Sequence, residues 1–186
     1  MWTIRKDREE TMNTYTSERL IYRPYEKKDL EALIKLCNEK TYRRWFYFLP
    51  KLNEKRAKAQ IEKNRYLWQN TIDMTKAQYA FAIEEKCSGD LIGSVEVSKY
   101  HGKKRLKHFE VGYYIGEAYQ KKGYATEAVN HVIKWVEPYL KEKQEELRVF
   151  GKVEHKNMAS LRVLEKAGFK LVRKTILCRI YERWIE

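Results

Sequence analysis

Apolar residues with a helical period mark three segments of the chain. Leu30, Leu33, Ile34 and Cys37 recur at i, i+3, i+4 and i+7, which predicts an amphipathic helix. A second helix is predicted over 125–140, and a third over 54–69. The stripe of the second is Ala125, Ala128, Val129, Val132, Ile133, Val136 and Leu140. The third has an irregular stripe of Ala57, Ile61, Tyr66 and Leu67.

Strand-like segments alternate with these helices. The predicted strands are 17–24, 79–84, 91–99, 109–115, 147–153, 169–174 and 176–185. Gly89 and Asp90 in the turn 86–90 predict a hairpin between the second and third strands. Because the helix over 125–140 separates 109–115 from 147–153, we expect these two strands to be parallel neighbours.

The junction between the strand 109–115 and the following helix carries the first chemical signal. It reads Gln120-Lys121-Lys122-Gly123-Tyr124-Ala125-Thr126. The first N–H groups of a helix have no intrahelical partner, and the macrodipole adds partial positive charge, so this end stabilises an anion. Gly123 permits a sharp turn and a close approach to a ligand, and two lysines add charge. We interpret the junction as a phosphate-binding loop; a tight turn without a ligand is the alternative.

Two further blocks accompany this loop. Glu110-Val111-Gly112-Tyr113-Tyr114-Ile115 precedes it, and Asn157-Met158-Ala159-Ser160 opens a later helix that ends at Gly168. In this order and spacing the blocks resemble the GNAT acyl-CoA-dependent N-acetyltransferases, and among them the branch that acetylates ribosomal-protein N-termini. The resemblance implies an α+β fold with αβα layers, in which helices flank a central mixed, mostly antiparallel sheet with splayed parallel strands.

The resemblance also implies acetyl-CoA as the cofactor. Its pyrophosphate is expected on the amides of 120–126, supported by Lys121 and Lys122. Its pantetheine arm is expected in the splay, bonded to the backbone of Tyr113, Tyr114 and Ile115. Asn157 is expected to cap its helix and to bond the pantetheine or the acetyl carbonyl. Gly112 indicates a bulge or a close approach that starts the splay, unless it is an ordinary strand glycine.

Acetyl transfer needs a neutral amine and a way to neutralise the leaving thiolate. Glu110 is the candidate general base, with Glu96 on the adjacent strand as the weaker substitute; a glutamate paired with a lysine is the alternative. The family often places a Tyr or Ser near the start of the later helix as the acid, and Ser160 occupies that position. A tyrosine later in this helix is absent from 165–169, which leaves the acid open. Positioning alone can supply roughly 7–11 kcal/mol, so losing Glu110 can be mild.

Length and composition predict one folded domain over 1–186, with 1–16 as a short N-terminal extension. Hydrophobic residues make up 43% and charged residues 35%. The net charge of +13 attracts a phosphate-rich cofactor, an acidic substrate or RNA, without choosing among them. Aromatic and basic residues crowd 38–70, where they would line an acceptor pocket, stack on bases or form core and its edge.

Several classes of protein are excluded by what the sequence lacks. No apolar run is long enough to span a bilayer and no signal peptide opens the chain, which predicts a cytoplasmic protein without membrane contact. Cys37, Cys87 and Cys178 show no pairing motif, and the four histidines show no ligand spacing. Neither a disulfide framework nor a metal site is therefore expected.

The leading hypothesis is an enzyme that moves an acetyl group from acetyl-CoA to a primary amine by direct attack in a ternary complex. The acceptor is left open between the N-terminus of a ribosomal or other protein and a small molecule, and family precedent makes a homodimer plausible. Two alternatives remain: a basic RNA- or ribosome-binding module, and a CoA-binding sensor without turnover.

Overall fold

The computed structural model describes residues 14–70, 78–99, 109–142 and 148–185. These residues form one eight-stranded sheet, in the order β1-β2-β3-β4-β5-β6-β8-β7. The strands are β1 (Tyr15–Thr16), β2 (Leu20–Arg23), β3 (Tyr79–Glu85), β4 (Leu91–Lys99), β5 (Phe109–Ile115), β6 (Arg148–Glu154), β7 (Lys170–Lys174) and β8 (Cys178–Trp184). The helices are α1 (Leu30–Asn38), α2 (Lys40–Trp45), α3 (Glu54–Gln69), α4 (Tyr124–Glu142) and α5 (Met158–Lys166).

The sheet is antiparallel at every described pair of neighbours except β5 and β6, which are parallel. The parallel pair is the one that the sequence predicts, because α4 carries the chain back across the sheet between them. The α+β architecture expected from the sequence is thereby confirmed.

The two faces of β5 are covered by different helices because its side chains alternate. Phe109 and Val111 belong to the larger core, which contains the buried stripe of α4 and Leu161 and Leu164 of α5. Tyr114 belongs to a smaller core on the other face, with Leu33 of α1 and Ile61 of α3. This central strand therefore lies between the α4–α5 layer and the α1–α3 layer.

Several elements differ from the sequence prediction. Tyr15 and Thr16, assigned to an N-terminal extension, pair with β2 as a strand. α2 was not predicted, and none of its residues is buried, so no apolar period announced it. Tyr66 is 66% exposed rather than inward-facing, since Asn64 and Trp68 complete the buried stripe of α3. The loop expected over 101–108 and the strand start at 147 lie outside the described residues.

The end of α5 follows the prediction from its glycine. Gly168 has φ +80°, a backbone conformation in which a side chain would be strained. The Phe169 amide donates to the Leu164 carbonyl at 3.0 Å and the Gly168 amide to the Glu165 carbonyl at 3.1 Å. This pair of hydrogen bonds is the Schellman motif that closes many helices.

We expect Asn64→Ala to lower the free energy of unfolding by about 2 kcal/mol, because two buried backbone groups lose their partners. The Asn64 side chain accepts from the Tyr25 amide at 2.9 Å and donates to the Ala80 carbonyl at 2.8 Å. Urea unfolding measures the change. Gln60→Ala, on the exposed side of the same helix, is the control and should have little effect; equal losses in the two variants would contradict this role of Asn64.

Candidate active site

The loop before α4 has the backbone of an anion site. Lys121 and Gly123 have positive φ angles of 63° and 86°, a turn that Gly123 adopts without strain. The Glu127 amide donates to the Gly123 carbonyl at 3.1 Å. The amides of Tyr124, Ala125 and Thr126 precede this bond and have no helical carbonyl available to them. The first turn of α4 can therefore donate hydrogen bonds to a phosphate.

Arg19, in the turn between β1 and β2, donates hydrogen bonds to this loop and to the first turn of α4. Its Nη1 donates to the Lys122 carbonyl at 2.8 Å, and its Nε donates to the Glu127 carboxylate at 2.9 Å. Its guanidinium carbon also lies 4.5 Å from the centre of the Tyr124 ring. No local pattern in the sequence marks Arg19, because the loop that it contacts lies more than a hundred residues later in the chain.

Arg19 and Glu127 form an ion pair, called the Arg19–Glu127 clamp below. The Glu127 carboxylate accepts from the Ser17 hydroxyl at 2.6 Å and from the Arg19 amide at 2.9 Å. Burial is the largest influence on its pKa and acts to raise it, but the bonds from Ser17 and Arg19 outweigh burial and leave the pKa lowered. The carboxylate is ionised in the first turn of α4, where negative charge stabilises the helix.

Other side chains of the loop are bonded to the protein. Tyr119 donates to Asp90 at 2.6 Å, and Tyr124 donates to Glu85 at 3.1 Å, so both reach the β3–β4 turn. Gln120 donates to the Ile115 carbonyl at 2.9 Å, which occupies one of the backbone acceptors expected to serve the cofactor. The Lys122 ammonium lies 5.2 Å from the centre of the Tyr119 ring. These bonds leave the backbone amides as the part of the loop best placed to meet an anion.

A gap in the sheet lies beside this loop. β5 and β6 pair at two positions, Phe109 with Val149 and Glu110 with Phe150. Beyond them these two fully described strands continue without further ladder pairs. The two strands separate after Glu110, so the backbone of the later residues of β5 is not hydrogen-bonded to β6.

The sequence suggested a bulge at Gly112 as one way to start this parting. The structure has no bulge there. The pairing of β5 with β4 is continuous from Phe109 to Ile115. A Cβ built on Gly112 would lie 2.6 Å from a carboxylate oxygen of Glu96. The glycine therefore makes room for a side chain of the neighbouring strand, a need that only the folded structure reveals.

Tyr113 bridges the parting on the α4–α5 side. Its hydroxyl donates to the Ser160 carbonyl in α5 at 3.0 Å, and burial raises its pKa. Asn157 caps α5 by accepting from the Ser160 amide at 3.2 Å. Asn157 and Ser160 are half-buried, so the start of α5 lies at the rim of the gap opposite β5.

Glu110 and Glu96 lie on the other face of the sheet. Glu96 pairs with Gly112 and Ser98 pairs with Glu110, so the two carboxylates are diagonal neighbours on one face. Burial raises the pKa of both; Lys152 acts against this at Glu110, whereas the charge of Glu110 raises the pKa of Glu96 further. The structure places Glu110 and Ser160 on opposite faces of the parted strands.

Aromatic residues line the α1–α2 side near these carboxylates. The rings of Tyr42 and Phe46 stack with centroids 4.5 Å apart, and Tyr114 meets Tyr42 edge-on at 4.9 Å.

Burial raises the pKa of the nearby Cys37 to about 11. Cys37 is thus a neutral thiol at physiological pH, which is unsuitable for a nucleophile.

Glu39 ties this aromatic side to the strand that borders the gap. Its carboxylate accepts from the Tyr114 hydroxyl and, at 2.9 Å, from the Glu117 amide. Glu117 in turn accepts from the Thr41 amide at 2.6 Å. The junction of α1 and α2 is therefore bonded to the end of β5 and to the turn that leads into the phosphate loop.

Among the residues that the structure describes, no group of three or more His, Cys, Asp or Glu side chains is arranged to hold a metal ion. None of the described helices combines the length and apolar character needed to cross a membrane.

The acetyltransferase (GNAT) domain family matches residues 19–170. An uncharacterised N-acetyltransferase of Bacillus subtilis (strain 168), YnaD, is 27% identical over 157 residues, which are 83% of this chain and 81% of that protein.

Two solved structures show the same fold. A putative ribosomal-protein-serine acetyltransferase from Vibrio cholerae superposes with a TM-score of 0.72 at 18% identity, covering 93% of this chain and 98% of that one. The microcin C7 self-immunity acetyltransferase MccE, in complex with acetyl-CoA and AMP, superposes with a TM-score of 0.67 at 22% identity, covering 91% and 94%. Likeness at this identity establishes the fold.

We expect Arg19→Ala to weaken acetyl-CoA binding about tenfold, because the Lys122 carbonyl and Glu127 lose the donor that holds the loop. Isothermal titration calorimetry measures the change. Arg56→Ala is the matched control, since Arg56 also donates to a backbone carbonyl, that of Lys51 at 3.1 Å, but lies on α3. Undiminished affinity in Arg19→Ala, or the same loss in both variants, would contradict the clamp.

Proposed function

Because the chain belongs to the GNAT acetyltransferase family, we propose that it transfers the acetyl group of acetyl-CoA to a primary amine by direct attack in a ternary complex. The protein is an acetyltransferase of the N-acetyltransferase type, and its acetyl donor is acetyl-CoA. The proposal adds the route of transfer, the residues that carry it and the nature of the acceptor, which is the N-terminus of a protein or a small-molecule amine.

The parting of β5 from β6 next to the phosphate loop carries this proposal. An anion site and an unpaired strand edge lie at consecutive points of the chain, one at 120–126 and the other at 113–115. A ligand with a diphosphate at one end and an amide-containing arm at the other would fit both. Coenzyme A has this chemistry, and when bound it supplies an activated thioester.

The residues fit this cofactor in order along the gap. The amides of Lys121 to Thr126 would hold the diphosphate, and the lysines would add charge. The backbone of Tyr113 and Tyr114 would accompany the arm, while Gln120 bonds the Ile115 carbonyl. Asn157 and Ser160 stand at the opposite rim. Gly123 has φ +86°, a backbone conformation in which a side chain would be strained, and a Cβ there would also lie 3.3 Å from the Arg19 guanidinium.

Glu110 is the proposed general base. An amine attacks only when it is neutral, and an aliphatic amine is mostly protonated at neutral pH. Glu110 has a pKa raised by burial, which makes its carboxylate a stronger proton acceptor than an exposed glutamate. Glu96, whose pKa is raised by burial and by the charge of Glu110, is the weaker candidate.

Ser160 is the proposed hydrogen-bond donor to the leaving thiolate. Its helix is held against β5 through the Tyr113 hydroxyl and its own carbonyl, so the residue stands where the arm would end. A serine hydroxyl is a weak acid, and its contribution would be stabilisation by a hydrogen bond. Holding thioester and amine together supplies roughly 7–11 kcal/mol, which makes the gap more important than either proton-transfer group.

The acceptor would approach from the α1–α2 side. Glu110 and Glu96 lie on that face, and Tyr42, Phe46 and Tyr114 form an aromatic wall nearby. Aromatic faces accommodate an apolar side chain or a cation. Both a protein N-terminus with an apolar first residue and an amine bearing a second charge are compatible with this wall.

A panel of amines tests the function. Peptides with different first residues, polyamines and aminoglycosides would each be incubated with acetyl-CoA, and released thiol would be measured. Release that depends on one class of amine, and that disappears in Gly123→Glu, is the expected result. An enzyme that binds acetyl-CoA but transfers acetyl to no amine in the panel would contradict the proposal.

The pH dependence of turnover tests Glu110. The ionised carboxylate is the active form, so kcat should rise as pH rises through its elevated pKa and fall as pH drops through it. We expect Glu110→Gln to lower kcat about 100-fold and to abolish this acid limb.

Glu96→Gln is the matched control for that experiment. It should keep the limb, because the limb reports the ionisation of the base, and the proposed base is Glu110. If the acid limb of the kcat profile persists in Glu110→Gln, or vanishes only in Glu96→Gln, Glu110 is not the general base.

A further inference from the structure

Residues 40–69, which include α2, α3 and the loop between them, concentrate the charge of the protein; they are called the α2–α3 surface below. This segment holds nine Lys and Arg and two Glu, a net charge of +7 out of +13 for the whole chain. The acetyl-transfer site uses none of these cations in the geometry described above. A potential of this size attracts polyanions to this side of the molecule.

Aromatic rings lie open among these cations. Tyr47 is 66% exposed, Phe48 68% and Tyr66 66%. The Tyr47 and Phe48 rings are 5.7 Å apart and nearly perpendicular, and the Arg44 guanidinium lies 4.9 Å from the Trp45 ring. Large aromatic side chains exposed to this extent are costly in water and are a sign of a binding surface.

The fold does not need these rings for its own core. α3 packs inward through Ala57, Ile61, Asn64 and Trp68, so Tyr66 is on its outer side. No residue of α2 is buried, and Tyr47 and Phe48 follow it in the loop before α3. The rings are therefore available to a ligand without any rearrangement of the core.

Cations interleaved with open aromatic rings match the chemistry of an unpaired nucleic-acid strand. Lysine and arginine neutralise phosphates, and aromatic faces stack on exposed bases. A polyanion without bases would use the cations and leave the rings in water. RNA presents unpaired bases in its loops and ends, where proteins stack aromatic side chains on them.

We propose that the α2–α3 surface binds single-stranded RNA, with Tyr47 and Phe48, whose rings lie 5.7 Å apart, as stacking platforms and the lysines and arginines of the same segment as phosphate contacts. The stacking residues Tyr47 and Phe48 are not among the residues assigned to acetyl transfer, so the proposal stands whether or not the acceptor is identified correctly. Because Glu39 bonds the start of α2 to the end of β5 through Tyr114 and Glu117, a bound RNA would lie on the side from which the acceptor approaches.

Fluorescence anisotropy of the full-length protein with a labelled oligouridine of roughly 16 nucleotides tests the proposal. We expect binding at about 50 mM salt that weakens steeply as salt is raised, since counterions are released. Replacing both Tyr47 and Phe48 by Ala should weaken binding by about tenfold or more, because neither ring can then stack on a base. Replacing Lys55 and Lys63 by Ala should reduce the salt slope by roughly 0.7 for each phosphate that is no longer neutralised.

Ile176 and Leu177 provide the matched control. They are 96% and 77% exposed in the turn between β7 and β8, near Lys174 and Arg179 but without an aromatic ring. Replacing both by Ala should leave oligouridine affinity unchanged. Acetyl-CoA affinity and thermal unfolding of every variant report whether the fold is intact.

Four results would overturn the proposal. The first is that oligouridine does not bind at low salt, and the second is that the Ile176 and Leu177 control loses as much oligouridine affinity as the Tyr47 and Phe48 variant. The third is that duplex RNA binds as tightly as oligouridine and keeps its affinity when Tyr47 and Phe48 are replaced. The fourth is that an oligoglutamate of the same length binds as tightly as oligouridine. The last result would assign the surface to an acidic protein instead.

Discussion

The early end of the ladder between β5 and β6 is the constraint on which the rest of the site depends. Two parallel strands bond for two residues and then separate, so β5 keeps backbone groups that β6 does not satisfy. Buried backbone groups without partners are costly, which favours a ligand that supplies the missing hydrogen bonds. The roles proposed for the helix start at Tyr124 and for Asn157 and Ser160 depend on this edge, because these residues lie beside it.

The site is held together by contacts between distant parts of the chain. Arg19 and Glu127 fix the start of α4, and Asp90 and Glu85 hold Tyr119 and Tyr124 from the β3–β4 turn. On the acceptor side, Glu39 bonds the Tyr114 hydroxyl and the Glu117 amide. The loop before α4, the edge of β5 and the junction of α1 and α2 thus share bonded partners, and the proposed reaction in a ternary complex would need such a fixed geometry.

Local patterns in the sequence predicted the elements well and their interactions poorly. The bounds of α3, β4 and β5 agree with the prediction because an N-cap, turn residues and regular alternation mark their ends. α2 was missed because it buries nothing, and β1 because two residues cannot show a period. The domain match confirms the family resemblance, whereas the phosphate-binding role of 120–126 and the role of Glu110 stay predictions. Arg19, Glu39 and the reason for Gly112 depend on side chains brought together by folding.

A crystal structure with acetyl-CoA tests the central claim most directly. The account predicts the diphosphate within hydrogen-bonding distance of amides between Lys121 and Thr126, and the pantetheine arm between β5 and β6, bonded to the backbone of Tyr113 or Tyr114. A cofactor bound elsewhere, or β5 and β6 paired continuously from Phe109 to Ile115 in the complex, would contradict it.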